Sequence, residues 1–395
     1  MLITSKKIIT GDGKTVLTGN GIYIKDGIIK KISTLADLKK LYPDEQVIDY
    51  GDAAILPGFI DTHTHIGAYD GMWDFTDYNE YRIGILGMQR TVECFQYGTT
   101  TIRDVGSPDK LMESLRTIAD KGFAVFPRIF HSNQAISMTG GHCWRMSCVT
   151  EADGIEGLRF CIRDQIKKGA DWIKVMTTHR IDLPEYSQEE LDYASQESHR
   201  LGKKLAVHAA LPIGLEMALK CKPDSIEHGT YLTVDQAKFM RDENIYWVPT
   251  VATLEYLVPS LMKSDTDSNA YYQIQIKDRE YYARIVSVTR DNFLKLAETG
   301  VKIAAGTDFD TGYIPSAPVG MELKKMIDLG WDPLLAIQAG TFNGAELLGV
   351  SDTIGLIREG YTADIVVVNG DPQIDGSILE DVVVTYFGGK LVYTK

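Results

Sequence analysis

Several features that would assign this chain to a common protein class are missing. Its 395 residues carry 41 basic side chains against 54 acidic ones, for a formal net charge of -13. No block of lysine and arginine occurs, so the chain lacks the basic stripe of a nucleic-acid binder and would repel polyanions. No apolar run approaches the length of a membrane span, and residues 1–7 lack the apolar segment of a signal peptide. We therefore expect a cytoplasmic protein with neither a nucleic-acid nor a membrane partner.

Cysteine is too scarce and too irregularly spaced for a disulfide framework. The five cysteines are an odd number, which fits reduced thiols in the cytosol. Cys143 and Cys148 are close enough in sequence to suggest a metal pair, but no second closely spaced pair accompanies them. We expect five free thiols at Cys94, Cys143, Cys148, Cys161 and Cys221.

Both ends of the chain have the texture of short strands and turns. Residues 21–32 predict a hairpin around the dipeptide Asp26-Gly27, and residues 363–368 and 382–393 are similarly rich in β-formers. Neither end can bury a core alone. We predict that residues 1–56 and 351–395 pair into one small β-sandwich domain, with residues 57–350 inserted between them.

The middle of the chain alternates short apolar strands with helical segments, which is typical of a parallel α/β fold. Eight strands are predicted, at 58–65, 99–105, 125–131, 172–177, 204–208, 225–228, 246–250 and 301–308. Helices are predicted at 110–121, 154–168, 187–201, 234–243 and 281–298. Eight β/α units of this size predict a (β/α)8 TIM-type barrel, whose active site lies at the C-terminal strand ends. The alternative is an open doubly wound sheet, although no glycine-rich phosphate loop follows the first strand.

Side chains of the types that bind metals occur at the ends of five of these strands. His63 and His65 lie on one face of the first strand, so two imidazoles can converge on one ion. A single histidine at a strand end is more often a hydrogen-bonded structural residue. The joint pattern, however, is what a two-metal site requires. The candidate ligands are His63, His65, Lys174, His208, His228 and Asp308.

Lys174 is the most informative of these residues. It lies within an apolar strand, where an unpaired ammonium is costly to bury, so a structural lysine there needs a compensating partner. Alternatively, a desolvated lysine loses its proton easily and can react with carbon dioxide. The resulting carbamate has two oxygens that can bridge two cations.

This set of residues, in this order, resembles the metal-binding set of the amidohydrolase superfamily. Residues 56–65 and 359–366 resemble its imidazolonepropionase-like branch, which includes bacterial Xaa-Pro dipeptidases and related metal-dependent carboxypeptidases. The resemblance implies that His63, His65 and Asp308 hold one divalent ion and that His208 and His228 hold the other. It further implies that carboxylated Lys174 bridges them, that a hydroxide between the metals attacks the substrate, and that Asp308 shuttles the proton. Zinc fits the mixed nitrogen and oxygen ligands best, with manganese or iron as alternatives.

Substrate contacts are expected from loops after the strands. Similar enzymes carry a Gly-Gly-His like residues 140–142, which implies that His142 contacts substrate, although many of them have glycine where this chain has Cys143. The tyrosine equivalent to Tyr231 binds the carbonyl or the developing oxyanion in such enzymes. Arg180 could grip a substrate carboxylate. The alternatives are a packing role for His142, a core position for Tyr231 and a solvated loop for Arg180. Residues 260–282 could form a lid or an oligomer contact.

The sequence therefore predicts a binuclear metal amidohydrolase that acts on a small molecule. The expected substrate is a dipeptide such as Xaa-Pro or an N-acyl amino acid, and the resemblance also implies a homo-oligomer. One alternative is a mononuclear deaminase or an imidazolone-type cyclic amidase on the same fold. Another is a barrel that serves as a non-catalytic scaffold.

Overall fold

A computed structural model describes residues 1–67, 79–144, 146–178, 183–253, 279–308 and 319–395. The strands in these ranges are β1 Leu2–Thr4, β2 Lys7–Ile9, β3 Val16–Leu17, β4 Asn20–Lys25, β5 Ile28–Thr34, β6 Val47–Asp49, β7 Ala54–Pro57, β8 Phe59–Thr64, β9 Thr99–Asp104, β10 Arg128–His131, β11 Ala135–Ser137, β12 Val149–Glu151, β13 Trp172–Met176, β14 Lys204–Ala209, β15 Ser225–His228, β16 Tyr246–Val248, β17 Ile365–Val368, β18 Val382–Phe387 and β19 Lys390–Thr394.

The helices surround these strands. The α-helices in the described ranges are α1 Leu35–Leu41, α2 Glu80–Glu93, α3 Leu111–Asp120, α4 Gly154–Lys167, α5 Gln188–Arg200, α6 Pro212–Lys220, α7 Val234–Asp242, α8 Arg279–Ala297, α9 Val319–Asp328, α10 Pro333–Ala339 and α11 Phe342–Leu348. Short 3-10 helices occur at Cys94–Tyr97 and Gly376–Glu380. In this part of the chain, no helix combines the length and the apolar character that a membrane crossing requires.

The two ends of the chain meet in a β-sandwich, as predicted. One sheet has the order β5-β4-β1-β6, and the other has the order β19-β18-β17-β7-β2-β3. The N-terminal strand β7 pairs antiparallel with the C-terminal strand β17, with Ile55 opposite Val367. Isoleucine and valine side chains from both sheets form one buried cluster between them. The division of the chain into 1–56 with 351–395 and 57–350 stays a prediction.

The predicted hairpin at the start of the sandwich is also present. Strands β4 and β5 pair antiparallel around Asp26 and Gly27, whose φ angles are 54° and 76°. Two successive positive φ values are what a two-residue type I′ turn requires, and an Asp-Gly pair adopts them at low cost. The local sequence therefore sets the register of this hairpin.

The middle of the chain is a (β/α)8 barrel, and the open doubly wound sheet is wrong. Strands β8, β9 and β10 pair in parallel, and β13, β14, β15 and β16 form a second parallel run. Residues 301–308 complete the ring between β16 and β8. Trp247 N–H donates to Lys302 O at 2.9 Å, and Thr62 N–H donates to Ala305 O at 2.9 Å.

Two of the predicted barrel strands differ from the expectation. The third begins at Arg128 rather than at residue 125 and ends at His131, as predicted, but after a break at Asn133, whose φ is 64°, the chain continues in the additional strand β11. Its first half, β10, pairs with β9, whereas its continuation, β11, pairs with β13. The eighth is reduced to a single bridge between Ile303 and Trp247. A left-handed residue cannot continue a ladder, which explains the break in the third strand.

All five predicted helices are present within two residues of their expected ends, and local capping explains two of the starts. Ser187 and Glu190 form a reciprocal capping box before α5, and Thr233 and Gln236 do the same before α7. Each box satisfies two backbone N–H groups that have no partner within the helix. These helices cover the outer faces of the strands. The C-terminal ends of the strands are not covered by them, and the site is expected there.

Candidate metal centre

His63, His65 and Asp308 converge at the C-terminal end of the first strand. The backbone N–H of Asp308 donates to the carbonyl of His63 at 2.7 Å, which joins residues 301–308 to β8 at this point. The Asp308 Oδ1 atom is 3.4 Å from His63 Nε2 and 3.3 Å from His65 Nε2. In the part of the chain that the structure describes, these three residues are the only group of His, Cys, Asp or Glu close enough for one ion.

The spacing of these three atoms suits a metal ion. Two ligand atoms held at about 2.0–2.1 Å from a zinc ion, at a tetrahedral angle, lie roughly 3.3 Å apart. Although burial favours a neutral ring, Asp308 raises the pKa of His65. Burial also disfavours the carboxylate, but His63, His65 and His228 hold the pKa of Asp308 well below its usual range. The residues present therefore fit a divalent cation in charge and in spacing.

His208 and His228 lie beside this group. The His208 and His228 rings are 4.5 Å apart between centroids, and the His63 and His228 rings are 5.1 Å apart. Burial lowers the pKa of His228 to about 3 and holds that of His208 well below its usual range, with neighbouring cations adding to the effect. Both rings are therefore neutral near pH 7, which is the form that binds a metal.

Lys174 lies in the middle of β13 with 1% of its surface exposed. Among the described residues, its ammonium has no hydrogen bond and no ion pair. Burial lowers the pKa of Lys174 to about 8. A lysine that is desolvated and unpaired is readily deprotonated, and the neutral amine is the form that reacts with carbon dioxide. The environment thus fits the predicted carbamate.

A family model described as "Amidohydrolase family" matches residues 54–392. The chain belongs to the amidohydrolase family. Members of this family are hydrolases that act on carbon–nitrogen bonds and are generally metal-dependent. The amidohydrolase is therefore an enzyme, and the alternative of a non-catalytic scaffold is wrong.

Individual relatives of the amidohydrolase cover nearly all of it. Ochratoxinase from Aspergillus niger is 28% identical, over 99% of this chain and 86% of the relative. Imidazolonepropionase from Clostridium tetani is 24% identical, over 89% of this chain and 85% of the relative. Among solved structures, a Xaa-Pro dipeptidase with bound methionine in its active site has 30% identity and a TM-score of 0.86, with 100% of this chain and 99% of the other covered.

Each of three histidines of the amidohydrolase is oriented by a hydrogen bond at its Nδ1 atom. The partner of His63 is Glu227 Oε2 at 2.6 Å, that of His65 is the Gly106 carbonyl at 2.7 Å, and that of His228 is Thr250 Oγ1 at 2.8 Å. A histidine that donates from one nitrogen presents the other, bare nitrogen to a metal. Since a carboxylate and a carbonyl can only accept, the contacts of His63 and His65 select their Nε2 atoms as ligand atoms, whereas the Thr250 hydroxyl orients His228 without fixing its tautomer.

Glu227 belongs to a buried network that the sequence analysis did not identify. Its Oε1 atom accepts a hydrogen bond from Arg103 Nη2 at 2.9 Å, and both side chains are fully buried. Arg103 also donates from Nη1 to Ser225 Oγ at 3.1 Å and from Nε to the Thr62 carbonyl. A charged residue within an apolar strand singles out Lys174, but β9 around Arg103 is mostly threonine, so that signal does not identify Arg103.

The close approach of the first and eighth strands depends on Gly306. A Cβ atom at this position would lie 2.6 Å from His63 Cβ and 2.5 Å from Val248 Cγ1. Asp61 reinforces the contact, because its Oδ1 atom accepts from the His63 N–H at 3.1 Å and from the Thr307 N–H at 3.0 Å. These contacts fix the His63 backbone relative to Asp308.

The loop at residues 140–142 places His142 against His208. The His142 ring stacks on the His208 ring with 4.2 Å between centroids. Glu185 holds the loop, because its carboxylate accepts from the His142 N–H at 2.8 Å and from the Ser137 hydroxyl at 3.2 Å. A Cβ atom on Gly141 would lie 2.7 Å from Glu185 Oε2, so glycine permits this approach. Cys143, with a φ of 57°, continues the turn.

The remaining predicted contacts are only partly described. Tyr231 follows β15 in a turn, its N–H donates to the Ala210 carbonyl at 3.3 Å, and burial raises the pKa of its phenol. Arg180 lies outside the described residues. Residues 260–278, which make up most of the predicted lid or oligomer contact at 260–282, also lie outside them. The five cysteines are free thiols, as expected, and Cys143 and Cys148 belong to no metal-binding group in the described ranges.

Proposed function

We propose that this amidohydrolase holds two divalent metal ions, with zinc as the best fit, and hydrolyses the amide bond of a small substrate with a free carboxylate. The substrate class is a dipeptide such as Xaa-Pro, or an N-acyl amino acid. The observation that carries the proposal is the convergence of His63, His65 and Asp308 at 3.3–3.4 Å beside the unpaired, buried Lys174. The relative with 30% identity is a Xaa-Pro dipeptidase, which supports the choice of substrate.

The proposed ligands divide into two groups with one shared member. His63, His65 and Asp308 would hold one ion, His208 and His228 would hold the other, and carboxylated Lys174 would bridge them. When bound, the ions would lower the pKa of a water molecule, so that hydroxide is available near neutral pH. A two-cation site needs anionic ligands, and the carbamate adds a negative charge to that of Asp308.

Asp308 is the proposed proton shuttle. Its Oδ1 atom faces the His63 and His65 rings, and its Oδ2 atom is 4.0 Å from His228 Nδ1, so the carboxylate lies between the two histidine groups. Because its pKa is held well below the usual range, Asp308 is ionised at neutral pH. An ionised carboxylate at this position can accept a proton from the attacking water and deliver it to the leaving nitrogen.

His142, Tyr231 and Arg180 are the proposed substrate contacts. The stacking of His142 on His208 supports this role, because an imidazole beside a proposed metal ligand could donate to the scissile carbonyl or to a substrate carboxylate. The raised pKa of Tyr231 keeps its hydroxyl protonated, so it can donate to a developing oxyanion. Arg180 would provide the bidentate contact to the free carboxylate.

A mononuclear cyclic amidase or deaminase is the second candidate. One observation favours it: within the described residues, a single group of three ligands is close enough for an ion without modification of Lys174. The relatedness to imidazolonepropionase is consistent with this candidate. The two candidates differ in metal content, because a one-ion site has no use for a bridging carbamate.

Metal analysis and a substrate panel test the proposal together. We expect two ions per chain and turnover of dipeptides, with the library varied at the C-terminal residue among proline, lysine, arginine and apolar residues, beside N-acyl amino acids. One tight ion per chain with an unmodified Lys174 would contradict the two-metal site. Turnover of lactones or deamination substrates alone would contradict the peptide-like substrate while leaving the metal site intact.

The cellular setting is also part of the proposal. We expect a cytoplasmic homo-oligomer, on the basis of the sequence composition and of the family resemblance. Light scattering during size-exclusion chromatography would test the assembly, since a mass of 44.0 kDa would correspond to a monomer.

A further inference from the structure

Among the three histidines whose Nδ1 partners are described above, His63 alone has an ionisable partner. Glu227 Oε2 accepts from His63 at 2.6 Å, whereas His65 faces a neutral carbonyl and His228 a neutral hydroxyl. Hydrogen bonds to ionised groups are shorter and roughly twice as strong as those between neutral groups. The orientation of His63 is therefore more strongly determined than that of the other two rings.

The position of Glu227 is itself fixed by buried contacts. Its two carboxylate oxygens have separate tasks, because Oε2 contacts His63 while Oε1 contacts Arg103 at 2.9 Å. Arg103 is anchored in turn by Ser225 and by the Thr62 carbonyl, which belongs to the same strand as His63. Rotation of the carboxylate would break at least one of these bonds, and both side chains are fully buried, away from bulk solvent.

We propose that Glu227, held by Arg103, is a positioning residue that fixes the Nδ1-protonated tautomer of His63 and thereby strengthens metal binding by the His63, His65 and Asp308 group. This inference rests on the proposed two-metal function. The pair of Glu227 and Arg103 carries no net charge, so its effect on the ion comes mainly from orientation and from the basicity of His63. Glu227 contacts neither substrate nor metal in this arrangement.

The test measures metal affinity rather than turnover. Zinc is titrated into metal-free protein in competition with a chromophoric chelator, in the His208→Ala background, which leaves only the His63 position. We expect Glu227→Gln to weaken this position by about 10- to 100-fold, because loss of an outer partner of a histidine ligand has effects of that size. A glutamine amide either leaves a weaker neutral acceptor at Nδ1 or turns its NH2 group toward Nδ1, which places the ring proton on Nε2.

A matched control separates positioning from general stability. Asp364 is also a buried carboxylate paired with an arginine, with Arg128 Nη1 at 3.1 Å from its Oδ2, but it lies at the junction with the sandwich. Asp364→Asn should lower stability toward denaturant without changing zinc affinity. If Glu227→Gln fails to fold, the double variant Arg103→Met with Glu227→Leu removes both charges at once, which buried ion pairs often tolerate. The double variant should show the same loss of affinity.

The tautomer provides a second readout. In metal-free protein with 15N-labelled histidine, the signal that disappears in His63→Asn should show a protonated Nδ1, whatever the state of Nε2 beside Asp308. A bare Nδ1 in the unsubstituted protein would overturn the inference, and so would unchanged zinc affinity in the folded variants. If the unsubstituted protein binds no metal, the proposed function itself fails. If it binds metal and the folded Glu227 variants bind equally well, only the positioning role fails.

Discussion

Gly306→Ala should displace the metal centre without any change in a chemically active group. The added Cβ would lie 2.6 Å from His63 Cβ and 3.1 Å from His63 N. Carbon atoms in contact are normally about 3.5–4.0 Å apart, so the His63 backbone or residue 306 must move by roughly 1 Å. A misplacement of that size can cost about 100-fold in catalytic rate.

The stability cost of the same substitution can also be estimated. Inserting a methyl group into a packed core typically costs about 1–3 kcal/mol. The φ angle of Gly306 lies outside the left-handed region, so alanine meets a steric obstacle rather than a conformational one. We expect Gly306→Ala to lower the free energy of unfolding by that amount and to reduce zinc affinity, as measured by denaturant titration and chelator competition.

Gly84→Ala is the matched control for this substitution. Gly84 lies within α2, and a Cβ atom there would meet no other atom within 4 Å. Because glycine is a poor helix residue, this change should stabilise the protein by about 0.5–1 kcal/mol and leave metal binding unaltered. The reasoning would be refuted if Gly306→Ala bound zinc and unfolded like the unsubstituted protein.

Three further predictions test other parts of the site. Lys174→Ala should lose one of two ions and nearly all activity. A short carboxylic acid should restore part of the metal content and part of the activity by occupying the place of the carbamate. The control Lys204→Ala, in the neighbouring strand, should keep both ions. Burial raises the pKa of Glu185 from 4.5 to about 7, so the native state binds more protons than the unfolded state between these values. The free energy of unfolding should therefore fall as pH rises through this window, and in denaturant titrations it should fall less for Glu185→Gln. The same pH dependence in Glu185→Gln and in the unsubstituted protein would contradict this prediction. Chelation of the metals should lower the melting temperature, because a ligand at 100 times its Kd stabilises the native state by about 2.7 kcal/mol. An unchanged melting temperature would argue against tight metal binding.

The barrel could be predicted because its signals are local. Apolar strands alternate with capped helices, and a histidine or an aspartate at a strand end is visible without knowledge of the neighbours. The left-handed conformation at Asn133, which divides the third strand, has no equally clear signal because asparagine only tolerates it. The residues 301–308 were placed correctly in the ring, but their pairing depends on contacts with β8 and β16 that the sequence does not specify.

The supporting residues of the site were missed for a related reason. Glu227 and Arg103 occupy strands separated by more than 100 residues, and their pairing depends on how the barrel closes. Arg103 lies among threonines in β9, so the sequence shows neither its burial nor the partner that it requires. Glu185 likewise holds the His142 loop from 43 residues away in sequence. Local patterns therefore predicted the candidate ligands, whereas the groups that orient them required the tertiary structure.

The pairing of β7 with β17 has a consequence for synthesis of the protein. Strand β7 leads through Gly58 directly into β8, which carries His63, and the Gly58 N–H donates to the Asp364 carbonyl at 2.8 Å. Strand β8 itself pairs with β9, and β7 pairs on one edge with β2, but the other edge of β7 gains its partner only from β17, which lies far later in the chain. Contacts between distant parts of a chain form slowly. On the ribosome, this edge of β7 therefore stays unpaired until β17 has been made, whereas the neighbouring strand β8 can already pair with β9.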